Sequence, residues 1–174
     1  MNTSDSDNIG RDDLRNPSML LATGFGLGLS PAAPGTVASL LAASVWVAVW
    51  SLGGSQAHLL LTAIGTPIAF VALAKTSSNR RLGDHRALVA DEVIGQWMAF
   101  LFVPVDWVTL TLGFLCFRSL DILKPFPIRW VDSKVPGAWG ILLDDVVCGL
   151  ATCALLHLLL VLMPTLAVPL PLPN

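Results

Sequence analysis

Charge is what this 174-residue sequence has least of: 13% of its residues are Asp, Glu, Lys or Arg, against roughly 25% in an average soluble domain. Residues 16–74 carry none at all, and neither do residues 146–174. With a mean hydropathy of +0.71, this scarcity argues against an ordinary soluble globule and for a membrane protein, since each stretch is long enough for spanning helices of about 17 to 25 residues. An excess of positive charge is also missing. Ten Lys and Arg against 12 Asp and Glu leave no electrostatic footprint for nucleic acid. The three cysteines, Cys116, Cys148 and Cys153, are odd in number and lie in apolar surroundings, so they read as small hydrophobes and not as a disulfide framework. No repeat of fixed period is apparent, and no apolar run follows a basic start as a signal peptide would require.

Three regions follow from composition. Residues 1–16 are acidic and polar and read as a disordered tail, residues 17–163 as one membrane-embedded domain, and residues 164–174 as a Pro-rich tail. Within the domain, the glycines and prolines of residues 17–36 predict a segment that bends instead of spanning. Val37 to Leu52 then reads as a helix with Thr36 as its N-cap. A turn at Gly53-Gly54-Ser55-Gln56 leads into a second helix from Ala57 to about Lys75, which Pro67 should kink. Residues 76–90 are a polar connection with a basic cluster. Asp91-Glu92 opens the next apolar run, Pro104-Val105-Asp106 interrupts it, and Trp107 to Phe117 continues it. A last helix is expected from Asp145 to about Met163.

Two topologies are open for residues 91–118: one long helix, or a hairpin turning at Pro104 to Asp106. The hairpin places Arg11, Arg15, Lys75, Arg80, Arg81, Arg86, Arg118, Lys124, Arg129 and Lys134 on one side, which satisfies the positive-inside tendency; the long helix splits them. Pro104 and Asp106 are also turn and N-cap chemistry rather than mid-bilayer chemistry. The expected fold is therefore all-α, a polytopic membrane bundle of helical hairpins with its charged site at the cytoplasmic face.

Against this apolar background, charge is concentrated between Phe117 and Gly149. Asp144-Asp145 at a helix start can be read as a cap, but only one of the two can cap, and the other adds repulsion that Mg²⁺ would relieve. Asp91-Glu92 poses the same alternative. Arg118, Asp121 and Lys124, spaced three apart, are either an intrahelical ion-pair ladder worth a few tenths of a kcal/mol or a phosphate fork with a metal-facing carboxylate. The backbone N–H groups near Pro34, Gly35 and Thr36 could receive a phosphate at a helix start, or the segment could be a re-entrant turn. His58 and His157 read as packing residues, His85 as a candidate headgroup contact, and Trp97, Trp107, Trp130 and Trp139 as interfacial anchors.

Taken in order, GFGLGLSPAAPGT (24–36), DEVIG (91–95), FRSLDILKPFPI (117–128) and GILLDDVVCG (140–149) resemble the phosphatidylglycerophosphatase A family. Phe126 stands where the K-P-W-P form of the motif has Trp. The resemblance implies a Mg²⁺-dependent phosphatase of the bacterial inner membrane, facing the cytoplasm. Its partners would be the bilayer and an anionic phospholipid substrate, phosphatidylglycerophosphate, converted to phosphatidylglycerol. By motif, the metal would fall to Asp91, Glu92, Asp121, Asp144 and Asp145. Catalysis would fall to Arg118, Asp121, Lys124, Asp144 and Asp145, and substrate binding to Arg118, Lys124, Gly35, Thr36 and Ser39. A small multipass transporter or channel subunit is the rival reading, and it requires charges spread through the membrane depth.

Overall fold

The computed structural model describes residues 9–80 and 85–163 of the chain. Among them are helices and turns and no strand: α1 (Pro17–Ala22), α2 (Pro34–Arg80), α3 (Ala90–Ala99), α4 (Trp107–Leu123), α5 (Ile128–Lys134) and α6 (Gly137–Leu162), with 3-10 turns at Arg11–Arg15 and Leu27–Leu29. Two stretches, Pro34–Ser78 and Gly137–Leu162, are long and apolar enough to cross a membrane. The Pro-rich tail lies outside the described residues. So do residues 1–8 of the polar tail, but residues 9–16 are structured: Ile9 is buried against the body, and the Gly10 amide donates to Asp13 Oδ2.

Helix α2 consists of two arms. Its torsions leave the helical region at Gly53 and Gly54, the latter at φ +64°, a conformation glycine adopts at little cost. The chain reverses there, so that Trp46 on one arm lies edge-on to His58 on the other with ring centroids 6.4 Å apart. Pro67, where the sequence predicts a kink, keeps helical torsions; the bend is taken where no Cβ resists it. The first arm opens at Pro34 instead of Val37, because proline at a helix start has no N–H to leave unpaired. Thr36 is consequently inside the first turn and is not the cap. The second arm extends beyond Lys75 to Arg80.

Residues 91–118 form the hairpin and not the long helix. Helix α3 ends at Ala99, and α4 starts behind Asp106, whose Oδ1 accepts from the amides of Val108 and Thr109 at 2.8 Å each. Gly95 packs on the Phe117 ring and Gly113 on the Phe100 ring, so residue order reverses between α3 and α4.

The first arm of α2 and helix α6 both run parallel to α3. Between the first arm of α2 and α3, Gly35 meets Glu92, the Trp97 indole donates to the Ala42 carbonyl at 3.0 Å, and Trp46 stacks on Phe100 at 4.0 Å and 9°. Such an aromatic pair contributes about 1 kcal/mol beyond its area. Between α3 and α6, a Cβ on Gly149 would overlap the Gly95 carbonyl, and one on Gly95 would come within 2.7 Å of the Asp145 carbonyl. Backbones this close are the small-residue packing that replaces the hydrophobic effect where the surroundings are themselves apolar. The starts of α2 and α3, the early turns of α6 and the end of α4 therefore meet at one end of the bundle.

Candidate active site

Three carboxylates come together at that end. Asp91 and Glu92 occupy the first turn of α3, and Asp145 reaches them from α6. One oxygen from each lies within 4.8 Å of the others. Asp91 and Asp145 are buried, and Asp91 Oδ1, Glu92 Oε2 and Asp145 Oδ1 find no hydrogen-bond partner. Like charges about 4 Å apart repel by roughly 4 kcal/mol at the dielectric typical of a protein site. Hard oxygens, unpartnered and converging, are a donor set suited to a divalent cation such as Mg²⁺.

Asp144 and Asp145 do not sit where the sequence places them. Helix α6 starts at Gly137, directly after Pro136, because AWGILL continues the helical pattern upstream. The acids are two turns inside it, so neither is an N-cap. They also separate: Asp145 joins the cluster, whereas Asp144 Oδ2 accepts from Lys124 Nζ at 2.7 Å and leaves Oδ1 unpartnered.

The cations line one side of the cluster. Arg118 Nη1 donates to Asp121 Oδ2 at 2.5 Å, while its Nε is buried and unpartnered. Asp121 in turn faces Asp145 and Glu92. Lys124 does not extend an Arg118-Asp121 ladder. It ends α4 in the left-handed conformation at φ +42°, before Pro125, and its ammonium bridges Asp144 and Asp132, the latter at 2.9 Å. Burial opposes that charge, but the hydrogen bonds and charges of Asp132 and Asp144 outweigh it and hold the amine above the ordinary lysine range.

The start of α2 closes the other side. A Cβ on Gly35 would overlap a Glu92 carboxylate oxygen and lie 3.1 Å from Arg118 Nη2, so only glycine lets the first turn of α2, with its free amides, come so near. Ser39, a turn along, is buried with its Oγ unpartnered, and Thr36 is half-buried.

Of the five residues expected to hold metal, three thus cluster, and Asp121 and Asp144 stand beside them, each tied to a cation. Sequence reasoning missed two residues. Asp132 secures Lys124 across two prolines, a pairing no helical spacing announces. Gln96 is buried with both amide atoms unpartnered; it lies a turn beyond Glu92 on α3, and that i+4 spacing was the available signal. His58 is buried against Trp46, as its apolar context suggests, and Trp97, expected as an interfacial anchor, instead turns its indole N–H inward to the Ala42 carbonyl.

The family model for phosphatidylglycerophosphatase A matches residues 20–160. The chain belongs to this family. It is 40% identical over 145 residues to phosphatidylglycerophosphatase A of Escherichia coli (strain K12), covering 83% of this chain and 84% of that protein. Its identity to the protein of the same name from Haemophilus influenzae is 38% over 138 residues, 79% of this chain and 85% of the relative. A Bacteroides thetaiotaomicron protein carrying the provisional name phosphatidylinositol-3-phosphatase is 34% identical over 147 residues, 78% of this chain and 91% of that one. No solved structure matches the chain significantly. The span shared with the phosphatidylglycerophosphatase A family takes in every residue of the acidic cluster and its cations, and leaves out the 3-10 turn at Arg11–Arg15.

Proposed function

We propose that this phosphatase hydrolyses the terminal phosphomonoester of phosphatidylglycerophosphate to phosphatidylglycerol and inorganic phosphate. In this reading it is a multi-pass protein of the bacterial inner membrane with its site at the cytoplasmic surface. The observation that carries the chemistry is the trio Asp91, Glu92 and Asp145, each with one buried, unpartnered oxygen, beside two cations. Family membership supports the substrate. Asp91, Glu92 and Asp145 would hold Mg²⁺, which when bound supplies charge neutralisation and acidifies a coordinated water.

The chain's own residues do the rest. Arg118 offers a planar fork and Lys124 a point charge to the phosphoryl oxygens, where charge builds as the ester bond breaks. Gly35 and Thr36 present amides at the start of α2, whose dipole favours an anion, and Ser39 holds a free hydroxyl just below. Asp121 fixes the Arg118 fork. Asp144, fastened by one oxygen to Lys124, keeps the other to take the proton of the attacking water as the new P–O bond forms, and returns that proton through solvent to the glycerol oxygen as the ester P–O bond breaks, so that the alcohol leaves neutral. The cationic face also draws anionic lipid, each Lys or Arg near the surface contributing about 1 kcal/mol.

A transporter reading finds no support in the charge distribution. From the acidic cluster to Asp106 at the opposite end of α4, the described helices carry no Asp, Glu, Lys or Arg. The deciding assay is phosphate release by purified protein in mixed micelles, from phosphatidylglycerophosphate and from phosphatidylinositol 3-phosphate, with Mg²⁺ and with chelator. We expect the first substrate to be strongly preferred and chelation to abolish turnover reversibly. Turnover indifferent to chelator would refute the metal assignment, and no release from phosphatidylglycerophosphate would refute the function.

A further inference from the structure

The end of α4, the turn after it and the start of α5 lie outside both apolar spans, yet they expose large hydrophobic side chains: Leu123 is 70% accessible, Phe126 85% and Trp130 56%. With Lys124 and Arg129 they line a cavity of about 450 Å³, within the range of about 300 to 1,000 Å³ of small-molecule sites. Lys124 belongs to both places, since the same ammonium that lines the cavity is bonded to Asp144. Arg129 is exposed and, unlike Arg118 and Lys124, has no acidic partner among the described residues.

Exposed apolar side chains are ordinary along the lipid-facing flanks of a membrane helix. Here they surround a free guanidinium at the end of the bundle that carries the phosphatase site. A phosphomonoester alone needs nothing of this kind. A diacyl lipid phosphate brings two further chemistries, a phosphodiester anion and the apolar glycerol ester region, and the cavity offers one partner for each.

We propose that this cavity is the seat of the non-reacting part of the lipid substrate. Arg129 binds the phosphodiester, and Leu123, Phe126 and Trp130 pack against the acylated glycerol, while the phosphomonoester passes Lys124 to the acidic cluster. The seat makes the enzyme prefer lipids over soluble phosphate esters. It rests on the function proposed above. Binding energy collected away from the reacting bond appears in KM when it is equal in ground and transition states.

Three substrates dissect the seat: diacyl phosphatidylglycerophosphate in mixed micelles, its deacylated water-soluble form, and glycerol 3-phosphate. Arg129→Ala should raise the apparent KM about tenfold for the two that contain a phosphodiester and leave glycerol 3-phosphate unchanged. The double variant Phe126→Ser, Trp130→Ser should raise it about tenfold for the acylated substrate alone, with kcat within twofold. Unchanged lipid KM in both variants would overturn the seat, as would an equal loss on all three substrates, which would make α5 only a scaffold for Lys124. Should the wild type hydrolyse none of the three, the proposed function fails, and binding alone then decides the seat. Dibrominated phosphatidylglycerol should quench the Trp130 part of the fluorescence, taken as the difference from Trp130→Phe, more than dibrominated phosphatidylcholine does, and Arg129→Ala should erase that difference. Equal quenching by the two lipids in the wild type would refute it.

Discussion

Asp106 and Asp145 are buried to nearly the same degree, 1% and 3% accessible, at opposite ends of one bundle, and they meet the cost of burial differently. Asp106 precedes a helix, where amides have no other partner, and spends one oxygen on two of them. Asp145 sits inside a helix, where every amide is already engaged, and faces Asp91, Glu92, Asp121 and Asp144. A buried carboxylate is therefore not in itself a sign of function. What sets Asp145 apart is that the fold surrounds it with like charge and leaves its Oδ1 without a donor.

That contrast can be broken by substitution. The largest effect should come from Asp145→Asn, which removes a proposed metal ligand while keeping the shape: phosphate release should fall by at least about a thousandfold, roughly 4 kcal/mol of barrier. In chelator the variant should unfold at the same or a higher temperature than wild type, because a repulsive charge is gone; a lower midpoint would mean that Asp145 is structural, as Asp106 is. Next is Gly35→Ala. Its methyl group must displace Glu92 or the start of α2, and a shift of about 1 Å at a reacting centre costs on the order of a hundredfold, to be read in kcat by steady-state kinetics.

Asp106→Ala should do the reverse, lowering stability by about 1 kcal/mol through the lost cap with kcat within twofold, measured by thermal denaturation and the same assay. The smallest effect concerns pH. A folded-state pKa raised above the unfolded value means that the stability Lys124 draws from Asp132 and Asp144 is fully present below the ordinary lysine pKa and is lost only as pH rises through the higher folded value. The stability difference between wild type and Lys124→Met should accordingly stay flat from about pH 7 to about pH 9.

Much of this architecture is legible in the residues themselves, for identifiable reasons. The hairpin at Pro104 to Asp106 is readable because turn chemistry and the positive-inside tendency agree there. The grouping of Asp91-Glu92 with the Arg118 to Asp145 region follows from that topology. Other features are hidden. Pro67 is a strong local signal that tertiary packing overrides, whereas Gly53-Gly54 takes the reversal. The position of Asp144-Asp145 inside α6 is masked because charge looks like a boundary in an apolar run, and a helix whose upstream turns are equally apolar shows no other mark of where it begins. The division of labour within that doublet depends on which helix face each acid presents, and adjacent residues on a helix are about 100° apart.

The contact between Gly95 and Gly149 works like the pivot of a pair of calipers whose tips are Asp91 and Asp145. Each tip is one helical turn, about 5.4 Å, from the pivot, so a relative tilt of about 3° between α3 and α6 moves the tips by roughly 0.3 Å, while the far end of α6, which runs on to Leu162, swings several times further. Bilayers of different thickness are accommodated by tilting helices. A fulcrum set this close to the acids would let the enzyme follow a membrane around it while the gap proposed to hold a cation hardly changes.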